Sequence, residues 1–285
     1  TEYFQSLKNL LDYLFIIDKF LNLRLYTYKD WRFMTNLCGS SSFQVKIYDA
    51  DSKGRVKIRS LFNYMQSTAD DHSKSLGTAM ENMADFNLTW VYARFFINIF
   101  EYPKLYNSVV CTTWRSGVTD GMVNREFIME DGYGKVFLKA TSSLALIDKV
   151  SRKPVAIPEF ISRDFERTRG RALLYNNVKF PVVEAYDHEH NLTVRYEDTD
   201  INNHLNNASY GQFVFESGYS YFKGSRIMSA MDIFFKHEVF YNENLYCRLK
   251  SMSSLSEGSS LFHNIFSSKR GKTVAYAFTQ WIEDF

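Results

Sequence analysis

The stretch "YEDTDINNHLNNASY", Tyr196 to Tyr210, gathers two aspartates, a glutamate, four asparagines and a histidine into fifteen positions. Asp and Asn are poor in strand and helix interiors and common in turns, so the run is a solvated turn or a site. Asp200, Asn202 and His204 carry groups suited to chemistry at a carbonyl. A carboxylate can orient or deprotonate water, an amide can hold an oxygen, and an imidazole can pass a proton near neutral pH. On one face of a strand, Asp200 and His204 would stand roughly 13 Å apart, too far to act on one bond. In a helix they would meet, but Asn202 would point away. A shared site therefore requires a curled segment entering a helix, with Asn206 or Asn207 as its N-cap.

The flanking elements give that segment a frame. "WVYARFFINIF" (90–100), "VVCTTW" (109–114), "NREFIME" (124–130) and "KVFLKATSSLALI" (135–147) read as strands, and "DGYG" (131–134) as the hairpin turn between the last two. Upstream, Leu61, Met65, Thr68 and Ala69 follow helical spacing and Gly77 suits a stop. The second half repeats the order: strand "LTVRYE", a helix from Asn207 to about Lys223, then four strands. "YDADSKGRVKIRSLFNYM" lies over "YEDTDINNHLNNASYGQF", with Asp51 over Asp200. This predicts an α+β chain made of two copies of one unit. The first copy has Lys53 and Arg55 where the second has Asn202 and His204. Either one site was retained after duplication, or both segments are turns that drifted apart. Between the copies runs a charged linker with three of the four prolines.

Composition excludes several classes. The chain has 285 residues and a formal net charge of +2, so no global field selects nucleic acid or an anionic membrane. Cys38, Cys111 and Cys247 form no CxxC or Cys/His ligand spacing, which argues against zinc and a disulfide framework and fits a reducing, cytoplasmic setting. "TEYFQS" reads as the remnant of a cleavable tag. The apolar segment after it is interrupted by Asp12, Asp18, Lys19 and Arg24, so it suits an amphipathic helix better than a membrane span.

"DTDINNHLNNASY" resembles the D-x-D-x-N-x-H-x-N-N-x-x-Y signature of the acyl-acyl-carrier-protein thioesterases. "LTWVYAR" (88–94), "RKPVAIP" (152–158) and "FFKHEVFYNENL" (234–245) follow in family order. The resemblance implies a double hot-dog, two copies of a long helix wrapped by a curved antiparallel sheet. The tag remnant and extension at 1–42 fall outside the match, and the resemblance places a hot-dog with the acyl pocket at 43–147, a linker at 148–190 and a catalytic hot-dog at 191–285. It implies hydrolysis of fatty acyl-acyl carrier protein (acyl-ACP) without a metal or cofactor, by Asp200, Asn202, His204 and Glu238, the last on the strand after the second helix. Plant members often carry a cysteine after that glutamate; here the position is Val239.

Met65, Met83, Trp90 and Arg94 are the candidate acyl-pocket residues. The plainer alternatives are core packing for the apolar ones and a surface ion pair for Arg94. Arg163, Arg167, Arg169 and Arg171, with Lys149, Arg152 and Lys153, form the most basic tract, which suits an acidic carrier protein or is simply a solvated linker. The expected partner is acyl carrier protein, with no nucleic acid and no integral membrane, and a homodimer is allowed. The competing functions are an acyl-CoA thioesterase and a non-catalytic acyl-chain-binding module.

Overall fold

The computed structural model describes residues 37–162, 169–174, 178–255 and 258–284. The segment expected to form an N-terminal amphipathic helix, and Arg163 and Arg167 of the basic tract, lie outside these residues.

The first half runs β1 (Cys38–Gln44), α1 (Ile58–Ser75), the short α2 (Met80–Ala84), β2 (Leu88–Ile99), β3 (Ser108–Thr119), β4 (Met122–Glu130) and β5 (Val136–Asp148). One helical turn in the linker is α3 (Glu159–Ser162). The second half runs β6 (His188–Thr193), α4 (Asn207–Tyr221), β7 (Arg226–Phe235), β8 (Asn244–Leu255), β9 (Gly258–Ser267) and β10 (Lys272–Glu283). Among the described residues ten strands form one antiparallel sheet in the order β1-β3-β4-β5-β2-β7-β10-β9-β8-β6. Its two five-stranded halves are mirror images in strand order, joined where β2 pairs with β7 from Arg94↔Phe234 to Asn98↔Ala230.

The turns follow their residue types. Asp131 accepts backbone N–H groups of Tyr133 and Lys135 through Oδ1, and Gly134 adopts a φ of 88°. α1 buries Leu61, Met65, Thr68 and Ala69, the positions picked out by helical spacing, and Gly77 at φ 63° ends it. α4 starts at Asn206, whose side chain accepts the Ala208 N–H at 2.8 Å. The two helices meet closely: a Cβ on Gly211 of α4 would fall 2.5 Å from the Phe62 ring of α1. One continuous apolar cluster spans both halves, from Phe62, Phe95 and Phe127 to Ile265 and Trp281. Among the described residues no helix is long and apolar enough to cross a membrane.

Candidate active site

Asp200 to His204 form a tight turn closed by the Thr199↔Leu205 bridge. The Asp200 N–H donates to the His204 carbonyl at 2.8 Å, and Asn203 takes a left-handed φ of 60°. Asp200 Oδ1 accepts the N–H groups of Asn202 at 2.8 Å and of His204 at 3.3 Å. The first copy builds the same turn. Asp51 Oδ1 accepts from Lys53 N and Arg55 N, each at 2.9 Å, and Gly54 takes the left-handed position. Both copies thus share the turn and its aspartate, and the difference lies in the side chains it displays. Lys53 and Arg55 reach Asp284 at 2.7 and 2.6 Å, whereas Asn202 and His204 border a cleft.

Glu238 is brought to His204 by backbone pairing. The Leu205 N–H donates to the Val239 carbonyl at 2.8 Å and His204 bridges Phe240. Glu238 was expected on the strand after the helix; it sits instead beyond the end of β7, in the connection to β8. That connection is free to lie against the turn because it is outside the ladder. Glu238 Oε2 is 3.5 Å from His204 Nε2. Its other oxygen pairs with Arg152. Arg152 follows the Asp148 turn in a left-handed conformation, φ 58°, and donates its N–H to the Asp148 carbonyl. The His204 ring meets Phe240 edge-on at 5.1 Å. Burial holds the His204 pKa below the ordinary histidine value, with Arg152 and Arg270 acting the same way and Asp200 opposing them. The shift favours the uncharged imidazole, the form that accepts a proton.

The cleft has a volume of about 810 Å³ and is walled by both halves. Asp200, Asn202, His204 and Glu238 come from the second, and Trp90, Tyr92, Leu144 and Ile147 from the first. Trp90 also donates its indole N–H to the Thr78 carbonyl at 3.0 Å. The other proposed pocket residues lie elsewhere. Met65 is sealed in the main core, and Met83 packs with Leu146 and Ile161 in a satellite core. Arg94 is neither at the surface nor in the cleft: it is buried and paired with Asp232 through two hydrogen bonds at 2.8 and 2.6 Å, beside the seam between the halves. A long apolar side chain at helical spacing marks the inner face of a helix, and nothing in that spacing separates core from cavity wall.

Arg152 was missed as a site residue although it opens the quoted segment "RKPVAIP"; only its folded position reveals its carboxylate partner. Arg270, which also borders the cleft and is held by Glu243, carried no signal in the sequence. Cys247 is buried, its thiol pushed up to about 12 by desolvation, and it donates to Ser217 at 3.2 Å. It is absent from the cleft wall.

Comparison with known proteins gives the family and the fold. A family model described as the acyl-ACP thioesterase N-terminal domain matches residues 37–165, and one described as the C-terminal domain matches 183–283. A chloroplastic palmitoyl-acyl carrier protein thioesterase of Gossypium hirsutum is 26% identical over 212 residues, 70% of this chain and 51% of that one. A chloroplastic acyl-(acyl-carrier-protein) hydrolase of Cuphea viscosissima is 24% identical over 260 residues, 84% of this chain and 61% of that one. The chain thus spans between half and two thirds of the length of these relatives. A solved acyl-ACP thioesterase from Bacteroides thetaiotaomicron superposes with a TM-score of 0.76 at 21% identity, covering 87% of this chain and 98% of that one. At that identity the likeness establishes the fold, a double hot-dog. With the two family matches taking in most of its length in the expected order, this chain belongs to the acyl-ACP thioesterase family.

Proposed function

We propose that the chain hydrolyses the thioester of a fatty acyl chain carried by acyl carrier protein, releasing the free acid and ending elongation. The observation that carries the reading is the approach of His204 to Glu238 at 3.5 Å on the wall of a cleft that runs into the first half. Water adds to the thioester carbonyl while Glu238 or neutral His204 takes its proton. The Asn202 amide, on the same wall, donates to the developing oxyanion. As the tetrahedral species collapses, the C–S bond breaks and the carrier thiolate leaves, taking up the proton released from the water. Arg152 fixes the direction of the Glu238 carboxylate. A separation of 3.5 Å is loose for a hydrogen bond and suits a pair that tightens when substrate fills the cleft. In this reading residues 43–147 hold the acyl chain, residues 191–285 supply the chemistry and 148–190 link them. The reaction belongs to a reducing, cytoplasm-like compartment, in keeping with three free cysteines; cell fractionation tests that placement.

The deciding experiment is thiol release from acyl-ACP over a series of chain lengths, with acyl-CoA as the competing donor and Glu238→Ala as control. Turnover on the carrier-protein donor that falls by about 10²-fold or more in Glu238→Ala supports the proposal. Tight binding of acyl chains with no thiol release would show a binding module, and a preference for CoA would reassign the donor.

A further inference from the structure

Two arginines that border the cleft are buried and have no part in hydrolysis. Arg115 on β3 and Arg125 on β4 stand directly opposite each other in the antiparallel register. They are 5% and 3% exposed, and both border the cleft that holds His204 and Glu238. Arg115 donates to the Thr78 hydroxyl, and its guanidinium lies 5.7 Å from the centre of the Trp90 ring. Arg125 donates to Ser73 Oγ at 2.9 Å and to Thr113 Oγ1 at 3.4 Å, and its Nη1 is 3.1 Å from His72 Nδ1. Among the described residues neither arginine forms an ion pair with a carboxylate. Asp70, the acid on the first-half wall of the cleft, pairs with Lys74 at 2.7 Å.

This arrangement costs stability. Like charges directly opposite weaken a strand pair, and a buried cation without an anion is expensive. Burial, and then the neighbouring Arg125, push Arg115 down to about 9. His72 and Ser73 lie in the last turn of α1, whose dipole offsets part of the charge. The fold does not require the pair. The matching hairpin of the second half has Ser251 opposite Leu261.

We propose that Arg115 and Arg125 form a binding site for a carboxylate at the free end of the acyl chain, so that the favoured substrate is the half-thioester of a dicarboxylic acid. This rests on the thioesterase reading. The carrier tethers its thioester beside His204 and Glu238, whose side chains are 25% and 35% exposed. Only the untethered end can then reach the nearly sealed arginines, which share the cleft wall with Trp90, Tyr92, Leu144 and Ile147. Planar guanidinium groups match a carboxylate in two-point fashion. A methyl end would strip water from both cations and return nothing.

The test compares kcat/KM for carboxylate-ended and methyl-ended acyl-ACP of equal length. The carboxylate end should win by at least about tenfold, the value of one charge-assisted hydrogen bond. Arg115→Met and Arg125→Met should each erase that preference by lowering kcat/KM on the carboxylate-ended substrate. Equal or better turnover of methyl-ended chains by the unaltered protein overturns the proposal. A second measurement separates this from the hydrolytic reading: calorimetric binding, to Glu238→Ala, of monomethyl esters of dicarboxylic acids against methyl esters of plain fatty acids. Binding that needs the free carboxylate supports the arginine site even if no thioester is ever cleaved. Indifference to the carboxylate sinks it without touching hydrolysis.

Discussion

Oδ1 of Asp200 is occupied by two backbone N–H groups, just as that of Asp51 is in the copy that displays no histidine. That occupancy suits a part in holding the turn that aims Asn202 and His204, with negative charge added near the imidazole. Asp200→Asn keeps the Oδ1 acceptor and should retain most of kcat, whereas Asp200→Ala loses the turn. Were Asp200 the base, Asn would cost about 10²–10⁴-fold. The pH profile adds an independent sign. Burial lowers the His204 pKa, so the acid limb of kcat/KM should lie below the ordinary histidine pKa of about 6.5. Asp200 raises that pKa, so removing its charge should move the limb to lower pH. His204→Ala and Glu238→Ala should abolish most turnover, and Cys247→Ala should leave it largely intact, because a sealed thiol raised to about 12 is neither ionised nor reachable. The site was partly legible because Asn202 and His204 break the repeat. Glu238 became visible only through the family resemblance, and Arg152 and the Arg115–Arg125 pair only through the folded register. Charges within strand patterns look solvated until the opposing strand is known.

At the scale of elements, the helices and strands were readable because their periodicities are strong, and the repeat doubled each signal. Close approach was not readable. Two glycines lie within α4, where glycine costs about 1 kcal/mol relative to alanine. Their reason is the neighbouring rings. A Cβ on Gly218 would stand 2.2 Å from Cζ2 of Trp281, and one on Gly211 would stand 2.5 Å from the Phe62 ring. Both rings are fully buried and cannot swing away. Gly218→Ala should therefore destabilise the protein by about 1–3 kcal/mol despite its better helix propensity, seen as a lower denaturant midpoint. A raised midpoint would mean that propensity outweighs packing at this position. Because α4 begins at the Asn206 cap next to the Asp200 turn, shifting the helix also moves the site, so Gly211→Ala should lower activity as well as stability.

For the whole molecule the decisive feature is the seam. Among the described residues the two copies share one sheet only through β2 and β7, and the cleft draws its walls from both, so activity should depend on that pairing. The Arg94–Asp232 pair spans the seam, with Arg94 against the Phe234 ring at 4.4 Å. Burial raises the Asp232 pKa and Arg94 opposes the rise. Arg94→Met leaves a buried carboxylate uncompensated and should cost about 3–5 kcal/mol near neutral pH. The pH dependence carries the sign. With Arg94 gone, Asp232 in the folded state binds its proton more tightly than in the unfolded chain. The loss should therefore be smallest in acid, below the unfolded aspartate pKa, and should grow as pH rises. Adding Asp232→Leu removes the stranded charge and should restore most of the stability at every pH. Chemical denaturation of the single and double variants across pH measures this directly. An Arg94→Met deficit independent of pH, or a double variant no more stable than the single, would show that Arg94 acts through packing on Phe234 and not through its charge. Both outcomes concern contacts that Arg94 makes across the seam, with Asp232 and with Phe234.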